Sequence, residues 1–235
     1  MPAKVVQAKA RVDAVRQLTP QIFEVDLRME DPAEFGFDAG QWVSVPFGPK
    51  TVRTYSLAST PSSRRAITLC ADVAPGGIGS RWFKSLKAGD VVEFKGPTGG
   101  FVLNRADSRR PLFVAEEIGV VPIRSILWDC VQTGFGRPSA LIYWCRDPSW
   151  LAYDQEFRLL SRRYPGFTYT PVVREPTAGW AGEKGEPEEV VDRSVRSVQG
   201  LVAYVSGGGD MINRVRQVLM AKGLDRKSVR WEKFW

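Results

Sequence analysis

The stretch between residues 53 and 101 decides the fold, because it holds three short motifs in order: Arg53-Thr54-Tyr55-Ser56, Gly76-Gly77-Ile78-Gly79-Ser80 and Gly96-Pro97-Thr98-Gly99-Gly100-Phe101. The first motif supplies groups that suit a dinucleotide with a flat ring. An aromatic side chain can lie against that ring, and a guanidinium can donate two parallel hydrogen bonds to a phosphate. Taken alone, the motif is equally consistent with a strand whose side chains alternate.

The second motif is a glycine-rich segment that precedes a predicted helix. Glycines expose backbone N–H groups and a helix N-terminus bears partial positive charge, so together they can bind a diphosphate. The simpler interpretation is a plain turn with Ser80 as the N-cap of the helix. The third motif, judged by its chemistry alone, indicates only a tight turn.

Taken together, the motifs resemble the FAD domain of the ferredoxin–NADP reductase superfamily, in which R-x-Y-S, a glycine-rich segment ending in Ser and G-P-x-G-x-F follow in this order. The segment L-I-Y-W-C-R-D-P-S-W-L-A-Y-D-Q-E-F at 141–157 is similar to the family's second nucleotide-domain strand and the helix after it. The segment G-G-G-D-M-I at 207–212 is similar to its late nucleotide loop, and E-K-F-W at 232–235 to the ending of bacterial members. The resemblance covers nearly the whole chain.

The resemblance implies a set of FAD-binding residues: Arg53, Thr54, Tyr55, Ser56, Leu69, Ala71, Gly77, Ile78, Gly79, Ser80, Thr98, Phe234 and Trp235. It places Phe234 on the isoalloxazine ring and Trp235 near the adenine. The alternative for these two residues is an edge strand that ends in exposed aromatic side chains. FAD rather than FMN rests on the diphosphate segment and on Trp235.

The resemblance also implies residues for hydride transfer and for the pyridine nucleotide. Ser56 matches the serine near flavin N5, Ser206 stands where many members have Cys, and Glu232 matches a carboxylate near the nicotinamide. The implied NAD(P)H-binding residues are Arg146, Arg174, Gly207, Gly208, Asp210 and Met211. A guanidinium at Arg174 would grip a 2′-phosphate and favour NADPH over NADH. The alternative for both arginines is a solvated surface charge.

Composition excludes several kinds of chemistry. The 235 residues include no histidine, which removes Ser–His and Cys–His catalysis and the commonest metal ligand. The three cysteines, Cys70, Cys130 and Cys145, have no C-x-x-C spacing, so we expect no metal site and no disulfide framework. No apolar stretch is long enough to span a bilayer and no signal peptide is visible, so the sequence predicts a soluble, cytoplasmic protein without membrane contact.

The pattern of elements predicts two domains, an antiparallel β-barrel at 1–108 and an α/β doubly wound parallel sheet at 109–235. The resemblance implies that the first domain binds FAD and the second NAD(P). The first half contains short alternating runs with regular turn signals, which is typical of a barrel or sandwich. The second half alternates strands and helices. The predicted strands are 5–15, 22–27, 42–45, 51–57, 66–71, 91–94, 112–115, 140–144, 167–173, 201–205 and 228–234; the predicted helices are 80–87, 122–130, 153–163 and 210–222. The segment 175–189 is predicted to be a mobile surface loop.

One loop departs from the family pattern. Where the family reads A-G-G-T-G-x-x-P, this chain has Ala115-Glu116-Glu117-Ile118-Gly119-Val120-Val121-Pro122. Two carboxylates at this position would repel a diphosphate. Either both glutamates point away and the dinucleotide still binds, or the pyridine nucleotide site is weakened or lost.

The sequence therefore predicts an FAD-dependent oxidoreductase that moves electrons between NAD(P)H and a one-electron protein acceptor, an acidic ferredoxin or flavodoxin. The net charge of +7 favours an acidic partner. One alternative is a flavin-binding electron-transfer subunit with a degenerate nucleotide site. Others are the reductase component of an oxygenase and a free-flavin reductase. Nucleic-acid binding is not expected, because the basic residues are scattered and do not interleave with aromatic residues.

Overall fold

The structure, a computed structural model, describes residues 4–134 and 136–234. The chain divides into two compact units: unit 1 contains Met1–Leu103 and Arg124–Thr133, and unit 2 contains Asn104–Ile123 and Gly134–Trp235. The division at residue 103 lies just before the polar stretch in which the sequence places its domain boundary. No helix in the described part of the chain is long and apolar enough to cross a membrane.

Unit 1 is built from six antiparallel strands and one helix. The strands are β1 (Val6–Gln17), β2 (Ile22–Asp31), β3 (Trp42–Pro46), β4 (Val52–Ser56), β5 (Ala66–Asp72) and β6 (Val91–Thr98), and the helix is α1 (Ile78–Ser85). Their order in the sheet is β4-β3-β6-β1-β2-β5. A bridge between Leu57 and Leu69 joins the two end strands, so the sheet closes into the predicted barrel.

Alternation along the strands produces the barrel core. Ala8, Ala10 and Val12 of β1 and Val92 and Phe94 of β6 are almost fully buried, and the residues between them on β6 are exposed. Because successive side chains of a strand point to opposite faces, this pattern places one apolar row inside the barrel and one polar row in water. The residues of the barrel core can therefore be predicted from apolar side chains that recur at every second position of the sequence.

Unit 2 is a parallel sheet with helices on both faces. Its strands are β7 (Arg110–Glu116), β8 (Ser139–Cys145), β9 (Phe167–Val173), β10 (Glu183–Lys184), β11 (Leu201–Gly207) and β12 (Val229–Lys233), in the order β10-β9-β8-β7-β11-β12. The helices are α2 (Val120–Thr133), α3 (Asp154–Arg163), α4 (Pro187–Ser194) and α5 (Gly209–Ala221). Residues of α4 and α5 pack on one face with Ile142 and Trp144, and Phe157 of α3 packs against Tyr143 on the other face.

Helix α2 belongs to both units, because Val120–Ile123 falls in unit 2 and Arg124–Thr133 in unit 1. Within unit 1, Arg124 Nη1 donates to the carbonyl oxygen of Ala58 at 2.6 Å, and Ser125 Oγ donates to that of Ser59 at 2.6 Å. Both side chains thereby satisfy carbonyl groups in the chain between β4 and β5.

Most predicted elements are confirmed to within a few residues, but one prediction is wrong in part. Helix α2 begins at Val120, two residues before the predicted Pro122, since a short 3-10 turn at Glu117–Gly119 leads directly into it. The segment 175–189, predicted to be a loop, contains β10 and the start of α4. The missed helix begins with proline at its first position, where the absent N–H costs no hydrogen bond.

Candidate flavin and nucleotide sites

In unit 1 the first two motifs meet at the start of α1. A Cβ added to Gly79 would lie 2.8 Å from the Tyr55 hydroxyl oxygen and 3.1 Å from Arg53 Cγ. Only glycine leaves room at this point for the backbone to approach both side chains. The structure therefore brings Arg53, Tyr55 and Gly79 together, as the resemblance implies.

Tyr55 presents a buried polar atom at this place. Its side chain is 8% exposed, and its hydroxyl has no hydrogen-bond partner among the described residues. Burial raises the pKa of this hydroxyl to about 12, so it stays protonated and able to donate. The ring lies 5.6 Å from that of Trp82 and 5.4 Å from that of Phe83, which hold it in place. An unsatisfied buried hydroxyl beside a glycine is the kind of position that a polar ligand completes.

The other predicted flavin residues lie in different surroundings. Arg53, Thr54, Gly77 and Ile78 are exposed, and Ser56 is buried at the end of β4. Ser80 lies inside the first turn of α1, whose N-cap is Gly77, so the interpretation of Ser80 as N-cap is wrong. Leu69 and Ala71 belong to the barrel core, so their side chains contact other core residues. Thr98 ends β6, opposite Trp42 of β3.

In unit 2 the strand order reverses between β7 and β11, and we call the region between the loops that follow these two strands the crevice. Ligands of doubly wound sheets bind at this switch point, beyond the carboxyl ends of the strands. Here the loops are Glu116–Gly119 and Gly207–Gly209, the second of which begins α5. The predicted nucleotide residues Gly207 and Gly208 therefore lie at the expected edge of the sheet.

Glu116 lies inside this crevice. Its Oε2 accepts a hydrogen bond from the Gly208 N–H at 2.5 Å, and a Cβ at Gly207 would lie 2.5 Å from Glu116 Cβ. Of the two alternatives for this loop, the one in which both glutamates point away from the crevice does not hold for Glu116. The Glu116 carboxylate accepts a hydrogen bond from the Gly208 N–H at the switch point, so this N–H is not available to a ligand.

Burial and neighbouring charges act on Glu116 in opposite directions. Desolvation raises the pKa of its carboxyl, and the hydrogen bond from Gly208 and the charges of Arg214 and Arg174 lower it in part. The net direction is upward. The carboxylate is therefore held in the crevice at an energetic cost.

Glu117 adopts a backbone conformation that suits glycine. Its φ is +46°, in the left-handed region that costs a non-glycine residue about 1–2 kcal/mol. The family has glycine at this position by the resemblance stated above. Glutamate at this position therefore adds backbone strain to the loop.

Close backbone packing also marks Gly119 and Ser206. A Cβ at Gly119 would collide with the carbonyl oxygen of Ser206. The Ser206 side chain is fully buried, and its hydroxyl has no hydrogen-bond partner among the described residues. In the sheet, Ser206 lies between Ala115 of β7 and Glu232 of β12. The register thus brings Ser206 and Glu232, both predicted for hydride transfer, side by side.

The two predicted phosphate-binding arginines are paired with carboxylates. Arg174 Nε and Nη2 donate to the two oxygens of Glu186 at 2.6 and 3.0 Å, and its guanidinium lies 4.8 Å from the Trp144 ring centroid. Arg146 Nε donates to Glu175 at 3.3 Å. The two N–H groups with which Arg174 could bind a phosphate are oriented for this, but they donate to the Glu186 carboxylate instead.

The remaining predictions lie at the ends of α5 and β12. Asp210 is exposed in the first turn of α5, and Met211 is a buried core residue. The Phe234 N–H donates to the Gly207 carbonyl oxygen at 3.0 Å, and its side chain is half-buried. Trp235 lies outside the described residues. The sequence interpretation missed Glu186 and Trp144, because their roles depend on contacts between separate elements.

The residues present fit the two groups that the resemblance implies. The unpartnered Tyr55 hydroxyl and the Gly79 cradle suit FAD in unit 1. The unpartnered Ser206 hydroxyl and the glycine-lined crevice suit a nucleotide in unit 2, with Glu116 as the one feature that opposes an anion.

Both halves of the chain match known protein families. Residues 9–103 match the oxidoreductase FAD-binding domain family, and residues 113–217 match the oxidoreductase NAD-binding domain family. The chain is 28% identical to ferredoxin–NADP reductase B of Sorangium cellulosum over 236 residues, covering 96% of this chain and 97% of that protein. It is 29% identical over 231 residues to the phenol hydroxylase P5 protein of Acinetobacter pittii, covering 96% of this chain and 65% of that protein.

Among solved structures, the cytochrome P450 reductase GcoB of Amycolatopsis is similar with a TM-score of 0.90 at 25% identity, covering 99% of this chain and 71% of that one. An antiparallel FAD-binding barrel followed by a parallel NAD-binding sheet defines a class of two-domain flavoprotein oxidoreductases. This chain belongs to the ferredoxin–NADP reductase superfamily, as its motifs predict. The predictions of the fold, of FAD and of a pyridine nucleotide are thereby confirmed.

Proposed function

We propose that this protein takes electrons from NAD(P)H and delivers them one at a time to a protein acceptor, with FAD as the intermediate. The observation that supports this most directly is the meeting of Arg53, Tyr55 and Gly79 around an unpartnered buried hydroxyl in unit 1. FAD, when bound, supplies hydride acceptance and single-electron release. The protein supplies binding, orientation and electrostatics.

On the flavin side, the proposed roles follow from position. The Tyr55 hydroxyl donates a hydrogen bond to the ligand, and the exposed Arg53 guanidinium binds the diphosphate. Gly79 admits the backbone of the α1 N-terminus to the same region, where its N–H groups favour negative charge. Ser56 is proposed to lie near the reacting ring nitrogen, and Phe234 and Trp235 to cover the ring and the adenine.

On the nucleotide side, the buried Ser206 hydroxyl and the neighbouring Glu232 are proposed to position the nicotinamide. Gly207 and Gly208, in the loop before α5, and Asp210 and Met211, in its first turn, are proposed to form the nucleotide side of the crevice. Glu116 has to release the Gly208 N–H before that group can bind a nucleotide oxygen. We therefore expect pyridine nucleotides to bind more weakly than they would if residue 116 were glycine.

For the acceptor, the net charge of +7 supports an acidic partner such as ferredoxin or flavodoxin. Relatives named as ferredoxin–NADP reductases and as oxygenase reductase components support a protein acceptor of this kind. Three cysteines without a disulfide are consistent with a reducing cytoplasm, where we propose that the protein works.

The position of Glu116 also favours a second candidate, a flavin-binding electron-transfer subunit that does not use pyridine nucleotides. Anaerobic titration of the purified flavoprotein separates the two. Bleaching of the flavin absorbance by NADH or NADPH is the result expected of the reductase. Reduction by dithionite but by neither nucleotide would contradict the reductase proposal and favour the carrier.

A further inference from the structure

A chain of alternating charges connects the end of β9 with α4 and α5. Glu186, which immediately precedes α4, lies between Arg174 and Arg214: it accepts two hydrogen bonds from Arg174, and its Oε2 is 3.7 Å from Arg214 Nη2. Arg214 also donates to Glu188 at 2.6 Å. Arg174 directly follows β9, and Arg214 lies in the second turn of α5, which begins after β11, so this group lies at the carboxyl edge of the sheet.

The position of Arg174 makes it the natural contact for the adenosine end of a nucleotide. It directly follows β9, whose carboxyl end lies at the same edge of the sheet as the loops after β7 and β11. In doubly wound folds an acidic residue near this edge hydrogen-bonds the ribose 2′-hydroxyl, whereas an arginine accommodates a 2′-phosphate. This chain presents both, joined to each other.

The pairing is well organised for an exposed ion pair. Arg174 donates two parallel N–H···O bonds to the two oxygens of Glu186. Its guanidinium also makes a cation–π contact with the Trp144 ring. Trp144 is itself 4% exposed and donates to the Gly185 carbonyl oxygen at 3.0 Å. The Arg174 guanidinium is therefore held in one orientation by Trp144 and Glu186, and its two N–H groups donate to Glu186.

We propose that Glu186 makes the protein select NADH over NADPH by occupying the guanidinium fork of Arg174. This inference rests on the proposed function. A 2′-phosphate would have to displace a carboxylate and then remain beside it, whereas a ribose hydroxyl can donate to that same carboxylate. Discrimination between NADH and NADPH thus comes from repulsion between the Glu186 carboxylate and the 2′-phosphate of NADPH.

The test compares binding and turnover in matched variants. Glu186→Gln removes the charge between Arg174 and Arg214 but keeps an acceptor oxygen, and the Glu186 N–H remains bonded to Glu189. Glu183→Gln is the control, because it breaks an equally short pair, with Arg193 at 2.6 Å, in the same segment. Glu186→Ser, with a side chain that favours helix N-caps, replaces the glutamine variant if that variant does not fold.

Two readouts are needed. Calorimetry measures binding of 5′-AMP and of adenosine 2′,5′-bisphosphate, and anaerobic kinetics give kcat/KM for NADH and NADPH. We expect wild type to prefer NADH by about ten-fold or more, Glu186→Gln to lower that ratio about ten-fold, and Glu183→Gln to leave it unchanged. Adding Arg174→Gln to Glu186→Gln should abolish the gain in affinity for the bisphosphate.

Each other result has a defined meaning. A wild type that prefers NADPH, or a Glu186→Gln variant with the wild-type ratio, overturns the role of Glu186 and leaves the proposed reductase intact. A wild type that binds and uses none of the four nucleotides overturns the proposed function, and the inference with it.

Discussion

At the scale of single residues, Glu116 changes what the nucleotide crevice offers a ligand. Its carboxylate uses the Gly208 N–H. Replacing it with glycine frees that N–H and removes one negative charge, which at about 4 Å in water-like surroundings amounts to about 1 kcal/mol against a phosphate. We expect Glu116→Gly to tighten binding of NADH about five-fold or more. Equilibrium titration measures this, and Glu183→Gln, which removes the same charge elsewhere, should have wild-type affinity.

Glu116 also predicts a dependence of stability on pH. Burial raises the pKa of its carboxyl above the ordinary 4.5, so the folded state holds this proton more tightly than the unfolded state. The contribution to stability is therefore present below 4.5 and is lost as the pH rises through the raised pKa. Glu116→Gln, which cannot ionise, should gain stability relative to wild type between pH about 4 and pH about 7 in urea unfolding. A difference that shrinks over this range would contradict the assignment.

Tyr55 gives the residue-scale test of the flavin site. Its hydroxyl lacks a partner in the described part of the protein, so Tyr55→Phe should leave the stability of the apoprotein nearly unchanged. Loss of one hydrogen bond to the ligand, worth about 0.5–1.5 kcal/mol, should weaken FAD binding about 2- to 10-fold in a fluorescence titration. Tyr169→Phe is the matched control, because Tyr169 already donates to Asp154 at 2.8 Å. That variant should lose stability and keep its FAD affinity.

The sequence could reveal those site residues that lie together in one short motif, but not those whose partners come from distant parts of the chain. Arg53, Tyr55 and Gly79 could be found because each belongs to a motif whose residue types match the chemistry of the ligand. The pairing of Arg174 with Glu186 could not, because twelve positions, a short strand and a turn separate the two residues. The orientation of Glu116 likewise depends on Gly208, which only the parallel sheet brings close.

At the scale of elements, the short turn at Glu117–Gly119 holds β7, β11 and α2 together. A methyl group on Gly119 would meet backbone atoms of Ser206 and Gly207, which cannot rotate away. We expect Gly119→Ala to destabilise the protein by about 1–3 kcal/mol in chemical unfolding. Gly166→Ala is the control, since its nearest neighbour would be Pro138 Cα at 3.9 Å. Equal stability of the two variants would mean that the turn can move aside.

Elements with a strong period were predictable and short ones were not. Strand β6 of the barrel alternates cleanly, and the central strands β7, β8 and β11 of unit 2 are nearly continuous apolar runs, as expected for a sheet buried on both faces. Strand β10 has only two residues and no pattern of its own, and it exists because Val172 and Val173 of β9 provide its partner. Polar composition at 175–189 therefore indicated a loop where packing creates a strand and a helix.

At the scale of the whole molecule, the charge of +7 predicts how encounter depends on salt. Reduction of an acidic ferredoxin should slow about ten-fold or more when ionic strength rises from about 20 mM to about 500 mM, because screening removes the attraction that steers the partners together. Stopped-flow kinetics measure this. Reduction of an uncharged quinone should be insensitive to salt, and a ferredoxin rate that is equally insensitive would argue against an acidic partner.

The division of α2 between the two units has a consequence for how such reductases can be recombined. A chimaera joined after residue 103 would take the barrel from one parent and all of α2 from the other. The foreign helix would then have to supply the side chains that Arg124 and Ser125 direct to the carbonyl groups of Ala58 and Ser59. The exchangeable module is therefore discontinuous, and we expect functional crossovers to transplant residues 124–133 together with the barrel.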